Sequence, residues 1–113
     1  EEKIISHLEQ WSNQGAALVL TVGGSGLGPR DHTPEATRHV IEREAPGLAE
    51  AMRAMGAERN PFAWLSRGIA GLKGNTLIIN LPGSRRGAEE SLSSILALVR
   101  HGLEVAAGSQ SHP

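Results

Sequence analysis

Apolar residues in the first part of the chain change from helical spacing to a continuous run. Ile4, Ile5, Leu8 and Trp11 recur at helical spacing among polar neighbours, which predicts an amphipathic surface helix. After a stop at a glycine, residues 18–22 read LVLTV, a short run typical of a buried, parallel strand. The predicted fold therefore opens with a surface helix and then a buried strand.

A second helix is predicted where the sequence reads TPEATR. Thr33 is suited to cap its start, and Pro34 fits the first helical position, where no backbone N–H is needed. We expect this helix to run to about Ala45, just before the next proline. Another short helix is predicted over residues 48–56, and a further helical segment over residues 60–64.

Two strands joined by a tight turn are predicted in the second half of the chain. The turn is Lys73-Gly74-Asn75, with strands over residues 68–72 and 76–81. Pro82 ends the second strand, and a long amphipathic helix is predicted after it. The apolar face of that helix carries Leu92, Ile95, Leu96, Val99 and Leu103. Strands that alternate with helices predict an α/β layer architecture with a largely parallel sheet.

The composition of the chain excludes several classes of function. A chain of 113 residues with a formal net charge of -1 has no basic field for binding nucleic acid. It has no cysteine, which excludes disulfides and thiolate catalysis. No apolar run has the length of a membrane span, and no signal-peptide pattern opens the sequence. We therefore expect one cytoplasmic domain over residues 1–113 with no membrane partner, and a frayed tail at 109–113.

Candidate chemistry lies where two predicted strands end. The first glycine loop, Gly23-Gly24-Ser25-Gly26, follows strand 18–22, and the second glycine loop, Pro82-Gly83-Ser84, follows strand 76–81. Each joins flexible backbone and a hydroxyl to a following helix, which suits a phosphate or another anion. Two such cradles indicate a ligand with more than one phosphate. The spacing matches neither the nucleotide-binding Lys-containing loop nor the dinucleotide fingerprint.

Asp31 stands a few residues after the first glycine loop. A carboxylate beside a phosphate is repulsive unless a cation lies between them, and Mg²⁺ is the usual one. The alternative interpretation is that Asp31 pairs with Arg30 or caps the helix at Thr33.

Two longer stretches carry a family resemblance. GGSGLGPRDHTPEATR and LSRGIAGLKGNTLIINLPGSRRG resemble the molybdenum-cofactor biosynthesis domain of the MogA/MoaB type, also found as the G domain of gephyrin-like proteins. Family members typically have Thr where this chain has Ser25, which keeps the hydroxyl, and Thr where it has Val22, which does not. The resemblance implies a three-layer α/β/α sandwich with a mostly parallel sheet, assembled as a homotrimer or hexamer.

The resemblance also implies an activity and its residues. Molybdopterin would be adenylylated with Mg²⁺ and ATP, giving adenylylated molybdopterin and pyrophosphate. By the same resemblance Asp31 would be the essential acidic residue of catalysis, and its position beside a phosphate loop makes it a predicted metal ligand. The following residues would bind substrate by that resemblance: Gly23, Gly24, Ser25, Gly26, Asn80, Gly83 and Ser84.

One departure concerns the start of the chain. Members of the family begin with a strand and continue to a Pro-Asp-Glu turn, and neither precedes Glu1. We therefore expect missing upstream residues, among them a second acidic site residue and a strand beside residues 18–22. The alternatives are a catalytically silent molybdopterin-binding or scaffold module, and a different nucleotide-dependent enzyme on a doubly wound sheet. Trp11 and Trp64 are interpreted as core or subunit-contact residues, and Arg67 receives no role.

Overall fold

The computed structural model describes residues 1–108, so the predicted frayed tail at 109–113 lies outside the described residues. Helices and strands follow one another as α1 (Glu2–Asn13), β1 (Leu18–Val22), α2 (Thr33–Val40), β2 (Arg43–Glu44), α3 (Pro46–Ala57), a 3-10 helix (Pro61–Leu65), β3 (Ala70–Lys73), β4 (Thr76–Leu81), α4 (Arg85–Ser94) and α5 (Leu96–Ala106).

The four strands form one mixed sheet in the order β1-β4-β3-β2. The β1–β4 pair is parallel, and the other two pairs are antiparallel. The α/β class is confirmed, but the prediction of a mostly parallel sheet is wrong for the described residues. The reason is local: a two-residue turn between Lys73 and Thr76 joins β3 to β4, and so tight a connection permits only antiparallel pairing.

Helices cover both faces of the sheet, as the predicted three-layer sandwich requires. Side chains alternate along β4 because successive residues of a strand point to opposite faces. Ile78 packs with Leu8 of α1 and Val40 of α2. Leu77 and Ile79 pack on the other side with apolar residues of α3, α4 and α5, which include Met52, Ala88, Ile95 and Val99. All six residues of β4 are buried, so this strand is the centre of the core.

Three helix predictions need correction. Helix α2 ends at Val40 rather than near Ala45, because the Glu42 N–H donates to Leu72 O at 2.7 Å and draws the chain into the sheet. His32 occupies the N-cap position predicted for Thr33, which is instead the first helical residue. The long C-terminal helix is two helices, because the backbone at Ile95 (φ -114°, ψ 11°) leaves the helical conformation.

Strand β1 lies at an edge of the sheet, where its one partner among residues 1–108 is β4. An edge strand exposes unpaired backbone groups that another strand can bind.

Trp11 and Trp64 are 44% and 58% exposed, so neither belongs to the core and the core interpretation is wrong for both.

Candidate functional site

The two glycine loops lie in contact at one edge of the sheet. Because β1 and β4 are parallel neighbours, their carboxyl ends emerge together. The Gly23 N–H donates to Leu81 O at 3.0 Å. A Cβ built on Gly83 would stand 3.3 Å from the Gly23 Cα. The two anion cradles predicted from separate parts of the sequence are therefore adjacent in the fold.

The first glycine loop is held open by backbone geometry that other residues disfavour. Gly24 has φ +71°, and its carbonyl accepts the Thr33 N–H at 3.0 Å. A Cβ on Gly24 would lie 2.3 Å from the Thr33 Oγ1, so only glycine fits here. Ser25 is 5% exposed, and among residues 1–108 its hydroxyl makes no hydrogen bond. That hydroxyl is available to a ligand.

Asp31 folds back over its own loop. Its Oδ2 accepts the Gly28 N–H at 2.8 Å, and the Asp31 N–H donates to Gly28 O at 3.1 Å. A Cβ on Gly26 would lie 3.0 Å from the same Oδ2, so the glycines leave room for this carboxylate. Within the described residues it neither pairs with Arg30 nor caps α2. The two alternative roles considered for Asp31 are therefore absent.

Arg67 is the residue of this site that sequence reasoning missed. Its Nε donates to Gly26 O at 2.7 Å, and one terminal nitrogen donates to Asp31 O at 2.6 Å. Its other terminal nitrogen pairs with the Glu35 carboxylate on α2. The backbone N–H of Arg67 donates to Ser25 O at 2.7 Å. One residue just before β3 thus binds three carbonyls of the loop between β1 and α2.

The ion pair between Arg67 and Glu35 shifts the titration of both groups. The hydrogen bond from Arg67 lowers the pKa of Glu35 below its ordinary 4.5. The same hydrogen bond raises the pKa of Arg67. Because the Glu35 side chain is 56% exposed, water screens the pair and its direct contribution to stability is small. The importance of the pair lies in where it holds the guanidinium.

The second glycine loop leads into the N-terminus of α4. The Ser84 Oγ caps the helix by accepting the Gly87 N–H at 3.0 Å. Helix geometry leaves the first backbone N–H groups without intrahelical partners, which places those of Arg85 and Arg86 next to Gly83. Their side chains are exposed and pair with acidic residues one turn along α4. These amides and the helix dipole favour an anion at this loop.

A cavity of about 260 Å³ adjoins the second loop, between α3, the 3-10 helix and α4. Pro82 and Ser84 form its edge, and Met52, Phe62 and Ser66 lie among its other lining residues. The cavity gives the loop a neighbouring, partly apolar space large enough for a ring.

Asn80 lies beneath the two loops, in β4. Its side chain is 2% exposed; its Nδ2 donates to the hydroxyls of Thr21 and Thr37, each at 2.9 Å. Its Oδ1 accepts the Ile69 N–H at 3.1 Å. Asn80 therefore joins β1, α2 and the segment before β3, and its predicted contact with substrate stays a prediction.

Replacing Asn80 by Ala is expected to lower the free energy of unfolding by about 2–4 kcal/mol, because it leaves the Ile69 N–H and two hydroxyls without partners. Urea denaturation measures the loss. The matched control is Asn13→Ala at the exposed end of α1, expected to change stability by less than about 0.5 kcal/mol. Equal effects of the two variants would show that the Asn80 bonds do not stabilise the fold.

The residues present limit how a metal ion can be held. Nowhere in residues 1–108 do three His, Cys, Asp or Glu side chains gather into a metal site. Mg²⁺ does not need such a cage, because it commonly binds one or two carboxylates together with substrate phosphates and water. Asp31, at the rim of the first glycine loop, fits that arrangement as one carboxylate ligand.

None of the described helices is both long and apolar enough to cross a bilayer.

The family models and the sequences of known proteins place the chain in the same family. The family described as "Probable molybdopterin binding domain" matches residues 1–101. The chain is 41% identical over 107 residues to the molybdenum cofactor synthesis protein cinnamon of Drosophila melanogaster, covering 93% of this chain and 18% of that protein. It is 44% identical over 82 residues to the molybdopterin adenylyltransferase of Haemophilus influenzae, covering 73% of this chain and 42% of that protein.

Solved structures agree with these matches. The molybdopterin biosynthesis enzyme MoaB of Thermus thermophilus superposes with a TM-score of 0.89 at 51% identity, over 96% of this chain and 69% of that one. The chain spans less than half the length of each of the two relatives named above.

Proposed function

Because the chain belongs to the molybdopterin-binding domain family, we propose that it acts in molybdenum cofactor biosynthesis and transfers AMP from Mg-ATP to molybdopterin. The observation that carries this proposal is the contact between the two glycine loops, with Asp31 at the rim of the first. Two adjacent anion cradles suit a reaction in which one phosphate attacks another.

The reaction joins the terminal phosphate of molybdopterin to the α-phosphate of ATP. A phosphate oxygen of the pterin forms the new P–O bond, the bond from the α-phosphorus to its bridging oxygen breaks, and pyrophosphate leaves with that electron pair. Such transfer needs alignment and charge neutralisation more than covalent help from the protein. Backbone N–H groups and the Ser25 hydroxyl of the first loop supply donors for the nucleotide phosphates.

Asp31 is proposed to hold the magnesium ion that arrives with ATP. A bound Mg²⁺ neutralises charge that develops on the phosphates. The Gly28 N–H donates to Oδ2 of Asp31, which fixes the orientation of the carboxylate that would hold the ion. Asp31 would therefore contribute one negative charge, held in a fixed position, to bind the magnesium ion.

The second loop is proposed to bind molybdopterin. Gly83 lets a phosphate approach the backbone, and the N-terminus of α4 beyond Ser84 attracts its charge. The adjoining cavity of about 260 Å³ offers room for the pterin ring. Asn80 supports both loops from below through its bonds to β1 and α2.

Measuring AMP transfer and ligand-induced stabilisation together tests the proposal. We expect adenylylated molybdopterin and pyrophosphate to form only when molybdopterin and Mg-ATP are both present. A ligand at a hundred times its dissociation constant adds about 2.7 kcal/mol to stability, so each substrate alone should raise the melting temperature by several degrees. A melting temperature that responds to neither substrate would contradict the proposal.

A catalytically silent binding or scaffold module is the second candidate. It is favoured by the small number of acids that contact the first loop directly, since among residues 1–108 Asp31 is the one carboxylate that accepts a backbone N–H of the segment between β1 and α2. Stabilisation by molybdopterin without AMP transfer would support it over the enzyme. The single domain, the homotrimer or hexamer and the cytoplasmic location stay predictions.

A further inference from the structure

The side chain of Arg67 bridges two ends of one backbone segment. Its guanidinium donates to Gly26 O at 2.7 Å and to Asp31 O at 2.6 Å, and these carbonyls are separated by four intervening residues. A guanidinium is rigid and planar, so it holds both acceptors in a fixed relation. The Arg67 side chain is 34% exposed, and its third arm pairs with Glu35.

We propose that Arg67 is the positioning residue that aims the backbone N–H groups of the first glycine loop at a phosphate. The proposal rests on the proposed function of this loop as the nucleotide-phosphate site. It assigns the effect to the shape of the guanidinium and not to its charge, because Glu35 neutralises that charge.

Peptide planarity supplies the physical reason. In a trans peptide the C=O of one residue points opposite to the N–H of the next. Turning the Gly26 carbonyl toward Arg67 therefore directs the Leu27 N–H to the other side, and turning the Asp31 carbonyl does the same for the His32 N–H. Within residues 1–108 neither N–H has a hydrogen-bond acceptor.

The backbone of Arg67 extends the same arrangement. Its N–H binds the Ser25 carbonyl at 2.7 Å, which directs the Gly26 N–H away from Arg67 as well. Carbonyl oxygens repel a phosphate and N–H groups attract it. Arg67 therefore turns three carbonyls toward itself and leaves the N–H groups of Gly26, Leu27 and His32 directed away from it. Those of Gly26 and Leu27 are successive, as in the backbone concavities that bind anions.

Pyrophosphate binding by calorimetry tests the role of Arg67 without needing turnover. Arg67→Lys keeps the charge but cannot hold two carbonyls and Glu35 together, so we expect the affinity for pyrophosphate to fall about tenfold or more. The matched control is Arg38→Lys, an exposed ion-pair residue of α2, for which we expect no change. Unchanged pyrophosphate affinity in Arg67→Lys, or equal losses in the two variants, would overturn the proposal.

Backbone NMR of the wild-type protein tests the same point without a variant. Adding pyrophosphate should shift the amide signals of Gly26, Leu27 and His32 and slow their hydrogen exchange. Unperturbed signals at all three would overturn the proposal even if Arg67→Lys fails to fold. If pyrophosphate binds as expected but AMP is not transferred to molybdopterin, the proposed enzymatic function fails and the role of Arg67 stands.

Discussion

Replacing Asp31 by Asn is expected to lower AMP transfer about a hundredfold or more while leaving molybdopterin binding intact. The Asn carbonyl can still accept the Gly28 N–H, which Asp31 accepts at 2.8 Å, so the loop stays closed. What the variant lacks is the negative charge that would hold magnesium beside the phosphates. Turnover at saturating Mg-ATP, compared with equilibrium molybdopterin binding, measures the two effects separately.

A second variant separates charge from hydrogen bonding. Asp31→Ala loses the bond to Gly28 as well as the charge, so its free energy of unfolding should fall by about 1 kcal/mol relative to Asp31→Asn. Unimpaired turnover in Asp31→Asn would show that Asp31 does not take part in the proposed reaction. Equal stability of the two variants would indicate that the Gly28 contact does not hold the loop.

Replacing Gly24 by Ala is expected to cost about 3 kcal/mol or more of stability and to abolish ligand binding at the first loop. The added Cβ would stand 2.3 Å from the Thr33 Oγ1, at a residue whose φ is +71°. Backbone strain of this kind costs about 1 kcal/mol or somewhat more by itself, and relief of the clash must displace either the loop or the start of α2. Chemical denaturation and pyrophosphate titration measure the two losses.

The chain offers a matched control for backbone strain without a clash. Gly15 has φ +84°, and nothing lies within 4 Å of a Cβ built there, so Gly15→Ala should cost only about 1 kcal/mol. Thr33→Ala in the Gly24→Ala background should recover part of the loss, since it removes the clashing oxygen. If the Gly15 and Gly24 variants lose the same stability and the second substitution recovers nothing, the clash with Thr33 is not the cause.

Strands with a local signal were predictable from the sequence. The apolar runs at 18–22 and 76–81 became β1 and β4 at the predicted bounds. Strand β4 is buried along its whole length, as such a run predicts, but in β1 only Val19 is buried, so the expectation of a buried strand there is wrong. Strand β2 was missed because Arg43 and Glu44 are both exposed and polar. Its existence depends on pairing with β3, about 28 residues away in sequence, and no periodicity reports such a pairing.

The candidate site likewise has parts that could be predicted from the sequence and parts that could not. Glycines, a hydroxyl and an acid following a strand were enough to predict two anion loops, and the parallel β1–β4 pair brings them together. The role of Arg67 was not predictable, because its acceptors Gly26 and Asp31 lie 41 and 36 residues earlier. The buried position of Asn80 was hidden for a related reason, since its partners lie on three other segments.

The contact between Gly23 and Gly83 sets the spacing of the two loops. Each presents a bare Cα to the other, and a Cβ on Gly83 would already reach within 3.3 Å. With no side chain between them, the distance between the two loops is set by the backbone that continues from the parallel strands β1 and β4. If both loops bind anions as proposed, this backbone distance decides which polyanions can occupy both loops at once.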